Sequence, residues 1–297
     1  MAAKARLSGM FRPRMATEAF APAKVNLTLH VTGRRADGYH LLDSLVAFAD
    51  IGDLLTFAPA DGRTTTLTVT GPFAQGVPCD GSNLVLRAAA MMQGPPLAIT
   101  LDKRLPPASG VGGGSADAAA TLRALAAMGY RPGDADFAAS LLALGADLPV
   151  CHRGLACRMS GIGEHLGAAP VLPPAWLVLA NPGCPVPTRD VFAALQGRFG
   201  PDMGNTLPDR FADAADLARW LQGQRNDLEA AAIAVVPPVQ RTLQALRASP
   251  GCLLARMSGS GATCFGLFAT PADASTSAAL LARAEPGWWV AKAPLRH

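Results

Sequence analysis

The chain has 297 residues, 50% hydrophobic and 16% charged, a balance that suits a compact soluble protein with room for two domains. Net charge is +4, and Lys4, Arg6, Arg12 and Arg14, with no acid among the first sixteen residues, supply all of it, so the neutral remainder argues against a nucleic-acid face. Six cysteines (79, 151, 157, 184, 252 and 264) show no C-x-x-C spacing and read as reduced thiols of a cytoplasmic protein rather than a zinc site or disulfide frame.

The basic N-terminus lacks the apolar stretch of a secretory signal, and residues 1–16 are predicted to be a disordered tail, with Met15 as an alternative start. No run is long enough to span a membrane. Lys24–Val31 alternates strictly, with Val25, Leu27, Leu29 and Val31 on one face and Lys24, Asn26, Thr28 and His30 on the other. That pattern predicts a half-buried strand whose polar face aims Lys24 and Asn26 into one space. Asp37-Gly38 marks a turn; Leu41–Phe48, Asp53–Phe57 and Thr64–Thr70 read as strands. Ser82 is expected to cap a helix over Asn83–Met92, and Leu97–Leu101 alternates again.

Leu97–Leu101 delivers the chain to four glycines within five residues, Gly110, Gly112, Gly113 and Gly114, followed by Ser115 and an alanine-rich helix to about Met128. Ser115 is the expected N-cap, and the free N–H groups behind it suit a phosphate. The usual nucleotide fingerprints fail here. G-x-G-x-x-G would need glycine at Ser115 or Asp117, and a P-loop would need Lys then Ser or Thr where Ser115-Ala116 stand. A ligand-free glycine turn would cost backbone entropy without adding packing, which favours a triphosphate cradle.

A helix over about Asp136–Leu144 ends at Gly145, and Asp147 follows on a predicted loop, two residues before Pro149. Pro170 to Pro174 reads as a domain boundary. Trp176–Ala180 is a strand, and Thr188 caps a helix that turns Val191, Phe192 and Leu195 inward. Further helices are predicted over Asp213–Leu221 and over Asn226–Ala248 with a break at Pro237-Pro238. Leu253–Met257 and Thr263–Phe268 are strands joined by Ser258-Gly259-Ser260-Gly261; Pro271–Arg283 is a helix and Trp288–Ala291 the last strand. Strands and helices in this order suit an α+β sandwich with helices on one side.

Singly, the chemistry-bearing residues stay ambiguous. Lys24 reads as a solvated strand lysine or a cation against phosphate; Asp147 as an Asx turn or a proton acceptor. Tyr39-His40 reads as a surface pair or a wall for a flat heterocycle, and the 258–261 glycines as a hairpin turn or a second backbone wall. No H-x-x-x-H or H-x-H suggests a metal site.

Taken in order, Pro22-Ala23-Lys24-Val25-Asn26-Leu27, the loop Pro106–Ser115 and Met257-Ser258-Gly259-Ser260-Gly261-Ala262 resemble the GHMP kinases. Arg35–His40 and Leu144–Pro149 resemble the segments of the branch that phosphorylates a cytidyl-diphosphate polyol. The resemblance runs from about Ala21 to the C-terminus. It implies an α+β two-domain fold with the active site in the cleft between the domains. Residues 17–168 would be an ATP-binding, mixed-sheet domain of ribosomal-protein-S5-like type, and residues 169–297 a ferredoxin-like α/β sandwich.

The same resemblance implies ATP and Mg²⁺ as cofactors, a small-molecule substrate, no nucleic-acid or membrane partner, and a cytoplasmic monomer or weak homodimer. Asp147 falls at the family's catalytic base and Lys24 at its partner on the reacting hydroxyl. Asn26 lies beside Lys24; Tyr39 and His40 match the cytosine-recognition pair, Phe192 a second aromatic wall, and Thr188 the crossing of nucleotide and substrate. Asn83 and Lys103 match positions near the adenosine. Pro106, Pro107, Ala108, Ser109, Gly110, Val111, Gly112, Gly113, Gly114, Ser115 and Ala116 form the ATP loop. Two departures stand out: Ala108 and Ser109 replace usual glycines, and Asn181 stands where a histidine is often found. A homoserine, mevalonate or sugar kinase of the same superfamily is the nearest rival reading. A nicotinamide-dependent oxidoreductase and a silent nucleotide sensor are further ones, opposed by the missing glycines at 115 and 117 and by intact Lys24 and Asp147.

Overall fold

The expected strand over Lys24–Val31 is two strands in the computed structural model, which describes residues 17–204 and 207–296. The predicted tail, residues 1–16, lies outside the described residues. β1 (Thr17–Asn26) ends where Leu27 and Thr28 both donate their N–H groups to the Leu45 carbonyl, and β2 (His30–Arg34) begins after Leu29 N turns to Arg225 O in the second half of the chain. Local alternation could not foresee that distant partner. It also misjudged burial: Lys24, Asn26, Thr28 and His30 are as buried as the apolar face.

β3 (His40–Pro59) runs unbroken through the two strands expected at Leu41–Phe48 and Asp53–Phe57. β1 pairs antiparallel along it, with a register shift between Pro22 and Ala23, where proline has no N–H to give. β4 (Thr66–Thr70) follows. α1 (Leu84–Ala90) is capped by the Asn83 carbonyl oxygen on Val85 N, not by Ser82, whose hydroxyl is engaged by Asp80. Next come β5 (Met92–Gln93), β6 (Leu97–Asp102) and α2 (Gly113–Ala127). β7 (Arg131–Pro132) pairs with β5, and α3 (Phe137–Leu144) is capped by Asp136. α4 (Leu148–Arg153) occupies the stretch read as loop, with Pro149 in its first turn. A hairpin, β8 (Cys157–Gly161) and β9 (His165–Ala168), completes the first half.

These strands form a seven-stranded mixed sheet in the order β4-β6-β3-β8-β9, with β1 and β2 on the other edge of β3. β4 and β6 are parallel and the remaining pairs antiparallel. Phe48, Phe57, Ile99 and Leu101 from the sheet bury against Val85 of α1 and Leu122 and Leu125 of α2.

The second half supplies β10 (Trp176–Asn181), α5 (Thr188–Ala194), α6 (Ala214–Gln222), α7 (Glu229–Val235) and α8 (Pro238–Arg247). β11 (Leu254–Met257), β12 (Cys264–Phe268), α9 (Pro271–Ala284) and β13 (Trp289–Pro294) follow. Thr188 is the first residue of α5 rather than its cap, which is Pro187. The antiparallel sheet β11-β12-β10-β13, crossed by α8 and α9, is the expected ferredoxin-like layout. One face packs on Leu243, Leu246, Ala274 and Leu281 of the helices. Its other face, through Leu177, Leu179, Phe265 and Leu267, shares a core with Val25, Leu27, Leu45 and Ala47 of the first sheet. That shared core brings the two glycine loops together. Among the described residues no helix is long and apolar enough to cross a membrane.

Candidate active site

The loop between β6 and α2 is held by its neighbours at almost every turn. Lys24 N donates to Val111 O at 2.9 Å, Thr263 N to Ser109 O at 3.0 Å, and Ser258 Oγ to Gly110 O at 2.9 Å. Ser258 Oγ in turn accepts from Asn26 N at 3.1 Å, so one hydroxyl joins β1, the first glycine loop and the second. Gly110 has φ +81°, and a Cβ there would stand 2.5 Å from the Ser258 carbonyl. Gly112 has φ +64°, and its Cβ would stand 3.1 Å from Lys24 Cε. Of the two departures in the loop, Ala108 takes the left-handed backbone itself, at φ +49°, and Ser109 closes a turn through its Oγ to Pro106 O at 2.6 Å.

The helix does not start at Ser115 as expected. Gly112 is the N-cap of α2, no side chain caps its end, and the first closing bond runs from Ala116 N to Gly112 O at 2.8 Å. The N–H groups of Gly113, Gly114 and Ser115 are therefore left for a ligand, in the field of the helix dipole.

Beside this end Lys24 Nζ donates to Asp147 Oδ1 at 3.0 Å and to Asn26 Oδ1 at 2.9 Å. Asn26 Nδ2 is fixed in its turn by Ser44 Oγ at 2.8 Å. Lys24 is buried, whereas the Asp147 side chain keeps 36% of its surface. A buried cation thus orients a carboxylate that can still meet a solute.

Lys24, Asn26, Ser115 and Asp147 line a cavity of about 1170 Å³, and so do Tyr39, His40, Thr188, Phe192 and Ser260. His40 stacks on Phe192, ring centroids 4.7 Å apart and planes at 28°, and Phe199 meets its edge at 6.1 Å. Burial, then the nearby Arg34 guanidinium, hold the His40 imidazole below its ordinary pKa, so it is neutral at pH 7. Tyr39 stands open at the rim, 56% exposed. Thr188 Oγ1 lies 2.9 Å from Ser260 Oγ and ties α5 to the second glycine loop.

Not every expected residue reaches the cavity. Pro106 through Gly114 and Ala116 do not line it; the loop meets it at Ser115. Asn83 spends its side chain on Val85 N and Pro78 O. Lys103 is buried beneath the loop between Asp53 and Asp117. Burial alone would pull its ammonium down, but Asp117 and Asp53 outweigh it and hold the pKa above the ordinary value. Burial pushes the Asp117 carboxyl up to about 8, with Lys103 pulling against it and Asp53 pushing further.

Asn181, buried below the second glycine loop, donates to Thr263 Oγ1 at 2.9 Å and accepts from Gly183 N at 2.8 Å. Two contributors have no sequence signal. Asn226, read only as the start of a helix, donates to Met257 O at 2.8 Å and Gly259 O at 2.9 Å and braces the second loop. Phe199 belongs to no periodic element. Among the described residues no cluster of three or more His, Cys, Asp or Glu could hold a metal ion.

The chain matches the family models described as "GHMP kinases N terminal domain" over residues 83–157 and "GHMP kinases C terminal" over residues 208–281. A 4-diphosphocytidyl-2-C-methyl-D-erythritol kinase from Cereibacter sphaeroides is 59% identical, over 92% of this chain and 97% of its own. One from Dinoroseobacter shibae is 56% identical, over 93% and 94%. A crystal structure of 4-(cytidine 5'-diphospho)-2C-methyl-D-erythritol kinase superposes with TM-score 0.73 at 35% identity, covering 95% of this chain and all of that one. L. major mevalonate kinase in complex with R-mevalonate, at 13% identity and TM-score 0.61 over 95% and 97%, shares the fold alone.

Proposed function

Because the chain belongs to the GHMP kinases, and among them to the 4-diphosphocytidyl-2-C-methyl-D-erythritol kinases, we propose that it transfers the γ-phosphoryl group of ATP to the C2 hydroxyl of 4-diphosphocytidyl-2-C-methyl-D-erythritol. The products are the 2-phosphate and ADP, a step in non-mevalonate isoprenoid precursor synthesis. The observation that carries this reading is one cavity holding both the Lys24–Asp147 pair and the His40–Phe192 stack.

Phosphoryl transfer needs positioning and charge neutralisation more than covalent help. Asp147 accepts the hydroxyl proton as the oxygen attacks the γ-phosphorus. Lys24 keeps that carboxylate aimed and offsets charge on the oxygen and the γ-phosphate; Asn26, fixed by Ser44, keeps Lys24 from swinging away. The open N–H groups of Gly113, Gly114 and Ser115 receive phosphate oxygens, a fit supported by the uncapped helix end and by the room that glycine leaves at 112. Magnesium, bound largely through phosphates and water, would add charge neutralisation, with Asp147 and Ser115 the nearest oxygen donors of the chain. Neutral His40 and Phe192 hold the cytosine, with Tyr39 at the rim, and that remote binding aligns the polyol. On this reading residues 17–168 carry the nucleotide loop, residues 169–297 complete the cleft, and the protein works as a cytoplasmic monomer or weak homodimer.

The test is ATP consumption with the cytidyl-diphosphate polyol, run beside mevalonate and homoserine. Turnover with the first and not the others is expected. Turnover with either of the others alone would replace the substrate while keeping the kinase.

A further inference from the structure

Three charged side chains lie beneath the nucleotide loop and take no part in the cavity. Asp53 on β3, Lys103 just past β6 and Asp117 on α2 are each at most 3% exposed. Lys103 Nζ donates to Asp53 Oδ2 at 2.5 Å and to Asp117 Oδ2 at 2.7 Å. Asp53 Oδ1 accepts from Arg104 N at 2.6 Å and from Leu105 N at 2.8 Å. The residue that opens the loop, Leu105, is thus held through Asp53. The helix that closes it, α2, is held through Asp117, and one ammonium joins the two. Gly113 rests on that ammonium: a Cβ there would stand 3.1 Å from Nζ.

Apolar packing could hold a helix to a sheet at lower cost, since each buried ion loses several kcal/mol of hydration before pairing returns any of it. What apolar packing lacks is a fixed direction. An ammonium between two carboxylates sets the separation and the rotation of the elements that carry them. Asp117 Oδ1 is buried without a partner, so the network is not filled for stability. Burial also favours a proton on Asp117 near neutral pH. With it the group carries no net charge, and an anion above it meets no repulsion.

We propose that Asp53, Lys103 and Asp117 are positioning residues for the nucleotide: they clamp both ends of the Pro106–Gly112 loop, so the open N–H groups of Gly113 to Ser115 are aimed before ATP arrives. The inference rests on the ATP-dependent reading above.

Asp117→Ala frees α2 from Lys103. Titration calorimetry should then show ATP affinity falling about tenfold while affinity for CDP, which probes the His40–Phe192 end, stays within about twofold of wild type. Asp117→Asn keeps an oxygen acceptor for Lys103 and should recover most of the ATP affinity. Unchanged ATP affinity, equal losses for ATP and CDP, or an Asn variant no better than Ala would overturn the proposal. If Asp117→Ala does not fold, Lys103→Met combined with Asp117→Leu removes the tie without stranding an ammonium, and the same two titrations decide. Wild-type protein that binds ATP but leaves the polyol unphosphorylated would refute the substrate and leave the clamp standing.

Discussion

Asp147 opens helix α4 yet caps none of its N–H groups; its carboxylate accepts from Lys24 Nζ, 123 residues earlier in the chain, at 3.0 Å. An aspartate at an N-cap position ordinarily spends an oxygen on its own helix. Here the helix end goes without, and the oxygen is kept facing the cavity.

Asp147→Asn keeps the size and one acceptor oxygen but cannot take a proton. The turnover number should fall roughly 10²–10⁴-fold, the range of a lost general base, while ATP binds within about twofold of wild type. Single-turnover phosphorylation and calorimetry on one preparation check both. Full activity would remove Asp147 as the base.

His40→Ala removes one side of the stack on Phe192, a contact worth about 0.5–1.5 kcal/mol beyond burial. KM for the cytidyl substrate should rise up to about tenfold and KM for ATP by less than about twofold. Equal rises would mean that the ring does not read the base.

Asp117 makes stability fall with pH. Its carboxyl titrates near 8 in the folded protein, against about 4 unfolded, so between those values the folded state holds a proton the unfolded state has lost. The resulting stability is present in acid and lost as pH climbs to about 8. Lys103 and Asp53 face the group; Lys103, raised as well, loses its own contribution only above its ordinary range. Urea midpoints across that span should decline for wild type and decline less for Asp117→Asn. Parallel curves would mean that Asp117 ionises normally.

Gly110→Ala and Gly129→Ala both place a methyl group at positive φ, +81° and +91°. Only the first meets backbone, the Ser258 carbonyl at 2.5 Å; the second has open space. Gly129→Ala should cost about 1–2 kcal/mol of stability and leave ATP affinity intact. Gly110→Ala should cost more and weaken ATP binding, because the second glycine loop must move. Thermal melts and ATP titrations of the pair separate strain from displacement.

The glycine run and the strand before it were readable because they obey local rules: β6 alternates, and glycines appear where the backbone turns left-handed. The start of α2 was misread because Ser115 is a better cap by composition, while Gly112 takes the cap position by conformation, φ +64°. The ordered motifs named Lys24, Asn26, Asp147, His40 and Phe192, and the fold lines one cavity with them. Lys103 was assigned toward the nucleotide because sequence shows a lysine beside the loop but not the two aspartates, 50 and 14 residues away, that engage it. Asn226 and Phe199 matter through contacts between distant segments, which no periodicity encodes.

His40 stands at one end of β3, and Phe48, farther along the same strand, is the pairing partner of Lys24. One continuous backbone therefore works as a caliper between the jaw that takes the base and the jaw that takes the alcohol. A caliper without a hinge measures its object. An analogue one phosphate shorter would seat its cytosine and still hold its hydroxyl short of Asp147, so it would act as an inhibitor, not a slow substrate.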